Sequence, residues 1–256
     1  MTDLTPRRQQ YKKTITLMSH GFSNRQAWPD GQLTVYPWDT TVDSFLLETS
    51  RHNPTTALFN MLSKVCDLNG GDVDDFVADE VNVVLLVARA LASDNTLVYT
   101  SHCPFCNTQR REHIQVPNEL EKIAEKNSTY PGFDTVTLPN CKDVVTIRPL
   151  LVRDEKLLAN RVLEQQAILS DLELRQMLPI GTINDTKPET LEELTVYYRA
   201  LSPPDLKYLI DSERELSPHL NSLIQHVCEN LACKREFQHL LSFAEDFFRP
   251  TGTKKP

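Results

Sequence analysis

Two cysteine pairs separated by more than a hundred residues constrain this chain more than any other feature. The first lies in NTLVYTSHCPFCNTQRREHIQV, where Cys103 and Cys106 form C-x2-C. The second lies in LIQHVCENLACKREFQHLLSF, where Cys228 and Cys233 form C-x4-C. Strand-like residues lead into each pair, Leu97, Val98 and Tyr99 into one and Leu223, Ile224 and Val227 into the other. Polar residues follow each pair, and then Ile114 and Val116, or Phe237, Leu240 and Phe243. Cys-Pro-Phe-Cys suits a thiol oxidoreductase of the glutaredoxin kind as well as a metal knuckle. In the oxidoreductase the motif must open a helix with an apolar face, because the helix N-terminus is what lowers the thiol pKa. Here NTQRREH offers no apolar residue, and the alternation after it reads as a strand.

The metal reading uses both pairs. Thiolates in pairs spaced two to four residues apart are the donor set of structural zinc sites. Two knuckles facing each other would supply Cys103, Cys106, Cys228 and Cys233 to one zinc ion. The long insert between them is tolerable because loop-closure cost grows only logarithmically with length. Cys66 ends an apolar segment and reads as a small core residue. Cys141, in the turn after Pro139-Asn140, reads as a free thiol and as the spare ligand. His102 and His226 flank the pairs and read as strand residues rather than ligands.

The chain has 256 residues and a formal net charge of −8, with 40% hydrophobic and 24% charged residues. That balance permits a sizeable core. The acidic charge argues against a general nucleic-acid or membrane-surface binder. No signal peptide is expected, since MTDLTPRRQQYKKTITLMSHGF lacks an apolar h-region. VNVVLLVARALA is shorter than the roughly 20 residues a membrane span needs, and it reads as a buried helix. A reducing compartment follows, where cysteines serve as thiols or ligands. There is no Gly-rich phosphate loop, G-x-S-x-G or H-E-x-x-H, and no small-molecule substrate site is expected. Asp79/Glu80 and Asp154/Glu155 read as complements to helix dipoles.

The expected fold class is α+β, helix-rich with short β-hairpins, two of which form a zinc-ribbon-like site. Residues 1–30 read as a loose basic arm and 31–94 as an N-terminal helical region. Residues 95–117 and 222–250 read as the paired knuckles, 118–221 as a hairpin plus helical insert, and 251–256 as a tail. Within these, a strand is expected at Leu33 to Tyr36, followed by a helix capped by Thr40 or Thr41. A second helix carries Leu58, Met61, Leu62 and Val65. A third spans Asp79 to Ala92 and a strand spans Thr96 to Thr100. NELEKIAEKN reads as a polar helix, and FDTVTLPNCKDVVTIRP as a hairpin. A long amphipathic helix, broken near Ser170, aligns Leu157, Leu158, Val162, Leu163, Ile168, Leu172 and Leu178. Leu191, Leu194, Tyr198 and Leu201 face one way on the next helix. Ser202 and Asp205 make a capping box for the last one, which ends by Ser217. A weak repeat runs through acidic cap, helix, strand and cysteine pair, with Asp79 set 24 positions before Cys103 and Asp205 set 23 before Cys228.

Four segments in order carry a resemblance: LTVYPWDTTVDSFLL, the helix running into HCPFC, VTLPNCKDVVTIRPLLVRDEKLL, and the second pair followed by LLSFAEDFFRP. The chain resembles the baseplate hub subunit and hub assembly proteins of T4-like contractile-tailed bacteriophages. The resemblance implies a non-enzymatic structural or assembly protein of the tail hub. It would sit in the virion baseplate, and in the host cytoplasm during assembly. Its partners would be other phage baseplate and tail proteins, with no nucleic acid, membrane or small molecule. A zinc-ribbon nucleic-acid or transcription module and a glutaredoxin-like oxidoreductase are the alternatives. At the C-terminus, Phe247 and Phe248 point different ways in any regular structure. One ring can pack at home while the other, with Arg249, anchors a partner.

Overall fold

The structure, a computed structural model, describes residues 11–49, 54–92, 96–115, 132–163, 171–216 and 223–240. It is a mixture of helices and small antiparallel sheets, as expected of an α+β chain. The first half opens with β1 (Lys13–Thr16) paired to β2 (Gln32–Val35). This corrects the expectation of a loose arm for residues 13–30, which form a strand and a packed loop whose buried residues begin at Leu17, while Tyr11 stays exposed. Leu17 and Met18 are buried, and Trp28, fully buried, packs its ring 4.3 Å from that of Phe76. Tryptophan this far from any periodic pattern signals a packed loop. Gly31 closes that loop at φ +71°, where an added Cβ would lie 2.7 Å from the His20 Cα.

Helix α1 (Thr40–Thr49) follows. Its cap is Asp39 and not Thr40 or Thr41, because Asp39 Oδ1 accepts from the backbone N–H of Thr41 at 2.9 Å and of Val42 at 3.1 Å. The next apolar stretch is two short helices, α2 (Pro54–Asn60) and α3 (Leu62–Val65), rather than one. Helix α4 (Ala78–Leu91) then runs through the middle of the first core, burying Val81, Val83, Val84, Leu85, Leu86, Val87, Ala88 and Ala90. A helix apolar nearly all round has to be central. It leads into β3 (Thr96–His102), paired with β4 (Gln109–Gln115) in the register Thr96↔Gln115 to His102↔Gln109.

The second half repeats this order. β5 (Asp134–Thr137) and β6 (Val144–Ile147) form a hairpin, extended by β7 (Ile180–Ile183) in the order β5-β6-β7. Helices α5 (Val152–Leu163), α6 (Asp171–Met177), α7 (Leu191–Ala200) and α8 (Pro203–Leu216) follow. β8 (Leu223–Val227) and β9 (Glu236–Leu240) close the chain's described part. Leu157 and Leu172, expected on the apolar face, are 40% and 63% exposed, while Leu158, Leu174 and Met177 form the buried stripe. Whether α5 and α6 are one helix lies outside the described residues, as does the helix expected over NELEKIAEKN.

The repeat extends to the loops. KTITL, residues 13–17, matches DTVTL, residues 134–138, and both end in a buried leucine, Leu17 and Leu138. VYPW, residues 35–38, matches IRPL, residues 147–150, each leaving its strand for a helix. Each half has its own apolar core, one from Leu17 to Tyr99 and one from Val136 to Leu216. Val152 of α5 packs into the first core, and backbone bonds from Ala78 to Leu150 (2.9 Å) and from Val152 to Phe76 (2.8 Å) fasten the halves together.

Candidate metal centre

Each half ends in a hairpin whose tip carries a cysteine pair, and the two tips meet. The loop between β3 and β4 holds Cys103 and Cys106; the loop between β8 and β9 holds Cys228 and Cys233. The tips share one build. Cys103 N–H bonds to Thr108 O at 3.0 Å, and Cys228 N–H bonds to Arg235 O at 3.0 Å. The residue after the second cysteine takes the left-handed region in both, Asn107 at φ 58° and Lys234 at φ 45°. That kink turns the chain back and leaves both sulfurs of a pair facing the same way. The two extra residues of C-x4-C are absorbed in a turn where Asn230 O accepts from Cys233 N–H at 2.8 Å and from Lys234 N–H at 3.0 Å.

All four sulfurs lie within 4.8 Å of one another. Cys106 Sγ is 3.5 Å from Cys228 Sγ, and Cys103 Sγ is 3.9 Å from Cys233 Sγ. A tetrahedron with metal–sulfur bonds near 2.3 Å has edges of about 3.8 Å. The donor set therefore fits a four-thiolate metal ion in size and chemistry. Cys103 and Cys228 are buried, and Cys106 is the most open of the four. Without a metal the thiols differ in acidity. The Thr108 hydroxyl, 3.1 Å from its sulfur, pulls the Cys106 thiol down to about 6, while burial pushes the Cys228 thiol up to about 12. A bound divalent cation would displace the protons, so metal uptake would release them.

Side chains that sequence reasoning missed join the two hairpins around the sulfurs. The Tyr99 hydroxyl lies 2.9 Å from His226 Nε2, and His226 Nδ1 lies 3.4 Å from Glu112 Oε1. Arg110 reaches Glu112 at 3.0 Å and Glu229 of the other hairpin at 3.1 Å. The Arg235 guanidinium sits 5.0 Å above the Phe105 ring. Burial lowers the basicity of His226. It is a strand residue, as expected, though its counterpart by spacing is Ser101 rather than His102. Ser101 and His226 both face Glu112, at 3.5 Å and 3.4 Å.

A second missed layer holds the helices that carry the knuckles. Glu80 is fully buried and accepts from Ser19 N–H at 2.5 Å and from Ser19 Oγ–H at 2.9 Å. Asp205 is buried and accepts from Asn140 N–H at 2.7 Å and from Ser202 Oγ–H at 2.6 Å. Ser19 and Asn140 each stand two residues after the matching leucine, and each carboxylate stands 23 positions before the first cysteine of its pair. Asp205 thus corresponds to Glu80, not to Asp79. The two carboxyls are shifted in opposite directions. Burial pushes the Glu80 carboxyl up to about 7. At Asp205 burial works in the same sense, but the bonds from Ser202 and Asn140 hold its carboxyl below the ordinary range. Asp154 and Glu155 are also more than helix-dipole complements. Asp154 pairs with Arg148 at 2.6 and 3.1 Å and accepts from Leu151 N–H at 2.8 Å; Glu155 pairs with Arg175.

Cys66 is buried, with its thiol donating to Leu62 O at 3.0 Å and pushed up to about 12 by burial. Cys141 is exposed in its turn and belongs to no cluster of metal-ligating groups among the described residues. The segment after Cys106 is strand β4, so Cys-Pro-Phe-Cys tips a hairpin and does not open a helix. Phe247, Phe248 and Arg249 lie outside the described residues. Among those described, no helix is long and apolar enough to cross a membrane. No protein-family model, curated protein or solved structure matches the chain.

Proposed function

We propose that this protein is a non-enzymatic structural or assembly component of a contractile phage tail baseplate, at its hub, and that one zinc ion clamps its two knuckles in a zinc-ribbon-like site. The observation that carries the zinc reading is the convergence of four thiols from hairpins more than 120 residues apart, at the spacing a tetrahedral thiolate site needs. Zinc supplies there a redox-inert cross-link, and a site with four protein ligands leaves no open position for substrate. The hub reading rests on the ordered resemblance of four segments over residues 30 to 250. The net charge of −8 and the paired hairpins suit a part that is assembled among other proteins.

Elemental analysis of the purified chain tests the clamp. About one zinc per chain, lost together in Cys103→Ser and Cys228→Ser, is expected. Less than half an equivalent with all thiols free refutes it. Fractionating tails and tail-assembly intermediates tests the hub. The chain should travel with baseplate subunits, and Phe247→Ala or Phe248→Ala should weaken that association while zinc content stays intact. A chain that never fractionates with tail proteins overturns the assignment.

A further inference from the structure

All four sulfurs of the metal centre lie within 4.8 Å of one another, and two pairs that cross the hairpins come within 4 Å. Cys106 and Cys228 are 3.5 Å apart; Cys103 and Cys233 are 3.9 Å apart. These two pairs use every sulfur once. They are also unequally reachable. Cys106 is exposed beside exposed Pro104 and Phe105, whereas Cys103 and Cys228 are 2% and 5% exposed. Independent contacts hold the hairpins together beside the sulfurs: Tyr99 with His226, Arg110 with Glu229 and Arg235 with Phe105. Losing the metal therefore need not separate the thiols before they react.

From this geometry we propose, resting on the zinc reading above, that the metal centre is a peroxide-sensitive site that releases its zinc and restaples the same junction with two cross-hairpin disulfides, Cys106–Cys228 and Cys103–Cys233. The Cys106 sulfur attacks one peroxide oxygen. The O–O bond breaks, the departing hydroxide takes a solvent proton to become water, and Cys106 carries a sulfenic acid. The Cys228 sulfur attacks that sulfur; the S–O bond breaks, a second hydroxide leaves as water with another solvent proton, and the S–S bond forms. Cys103 and Cys233 repeat the sequence with a second peroxide. Two peroxides become four waters, each of four sulfurs gives up one electron, and the zinc ion leaves unchanged in oxidation state. The two cross-links tie the same strands that the metal tied. The oxidised hairpins stay covalently joined, where an oxidised C-x2-C pair within one knuckle would leave only the noncovalent contacts between them.

The experiment uses the full chain carrying Cys141→Ser, because exposed Cys141 would otherwise compete for oxidant. Cys66 is buried and can stay. Hydrogen peroxide is added to the purified protein, zinc release is followed with a coloured indicator, and disulfides are mapped on non-reducing peptides. About one zinc released per two peroxides is expected, with peptides joined through Cys106–Cys228 and Cys103–Cys233. Dithiothreitol and added zinc should reverse both. Joined peptides through Cys103–Cys106 and Cys228–Cys233, or sulfinic acid without disulfide, overturn the proposal. Protein that holds no zinc at the outset but yields the cross-hairpin pairs refutes the zinc reading and supports the pairing.

Discussion

Glu80→Gln isolates one buried carboxyl. Gln keeps the oxygen that accepts from Ser19 N–H and removes the ionisation. The Glu80 carboxyl is raised from 4.5 to about 7 by burial. A raised carboxyl binds its proton more tightly in the folded chain than in the unfolded one. Its contribution to stability is full below pH 4.5 and is lost as pH rises through 7. At 1.36 kcal/mol per unit, the whole shift corresponds to about 3 kcal/mol, of which about 2 kcal/mol falls between pH 5 and pH 7.5. Urea unfolding of wild type and Glu80→Gln at those two pH values, with matched slopes, measures it. Groups other than Glu80 cancel in the difference. The Gln variant should gain about 2 kcal/mol on wild type in going from pH 5 to pH 7.5. A change below about 0.5 kcal/mol, or Gln losing ground at the higher pH, would show that the two Ser19 donors hold Glu80 as an anion and that burial does not dominate.

Asp154→Ala leaves the Arg148 guanidinium and Leu151 N–H without their carboxylate, and should cost about 3 kcal/mol in urea unfolding; a loss under 1 kcal/mol contradicts the pairing. Lys234→Gly relieves a left-handed φ of 45° at the second knuckle and should stabilise the chain by about 0.5–1 kcal/mol, with zinc content unchanged. Removing metal with a strong chelator under reducing conditions should raise amide exchange in β3, β4, β8 and β9 while α4 and α8 stay protected; equal loss of protection in both would mean that the metal holds the cores as well.

The sequence reading succeeded where a local pattern and a packed outcome coincide. Helix α4 was legible because its apolar run is too dense for anything but a central helix, and α8 because Ser202, Pro203 and Asp205 announce its start. The knuckle cysteines were legible because alternation on both sides of each pair asks for strands. Trp28 and Met18 were missed because a packed loop has no period to read, only the anomaly of large apolar residues among turns. The third strand of the second sheet, Ile180–Ile183, was missed because it is short and follows a helix through Pro179. Glu80 carried a signal that went unread: it shares the buried stripe of Val84 and Val87 four and seven positions on, where an acid needs a partner. Its partner Ser19 is 61 positions away, and such distant pairs leave no mark in local periodicity.

Cys106 and Cys228 are 122 positions apart. A chain that emerges at about 5–20 residues per second exposes the first knuckle roughly 6–25 s before the second exists. Throughout that interval the first pair has no opposite pair to share a metal with, and its hairpin has no neighbour. The first core, most of whose residues precede Thr100, would then have to hold β3 and β4 in place without the second hairpin. Under the proposed clamp, metal loading would wait until both knuckles have been made, and a chain truncated between them would be recognisable by its open pair of thiols.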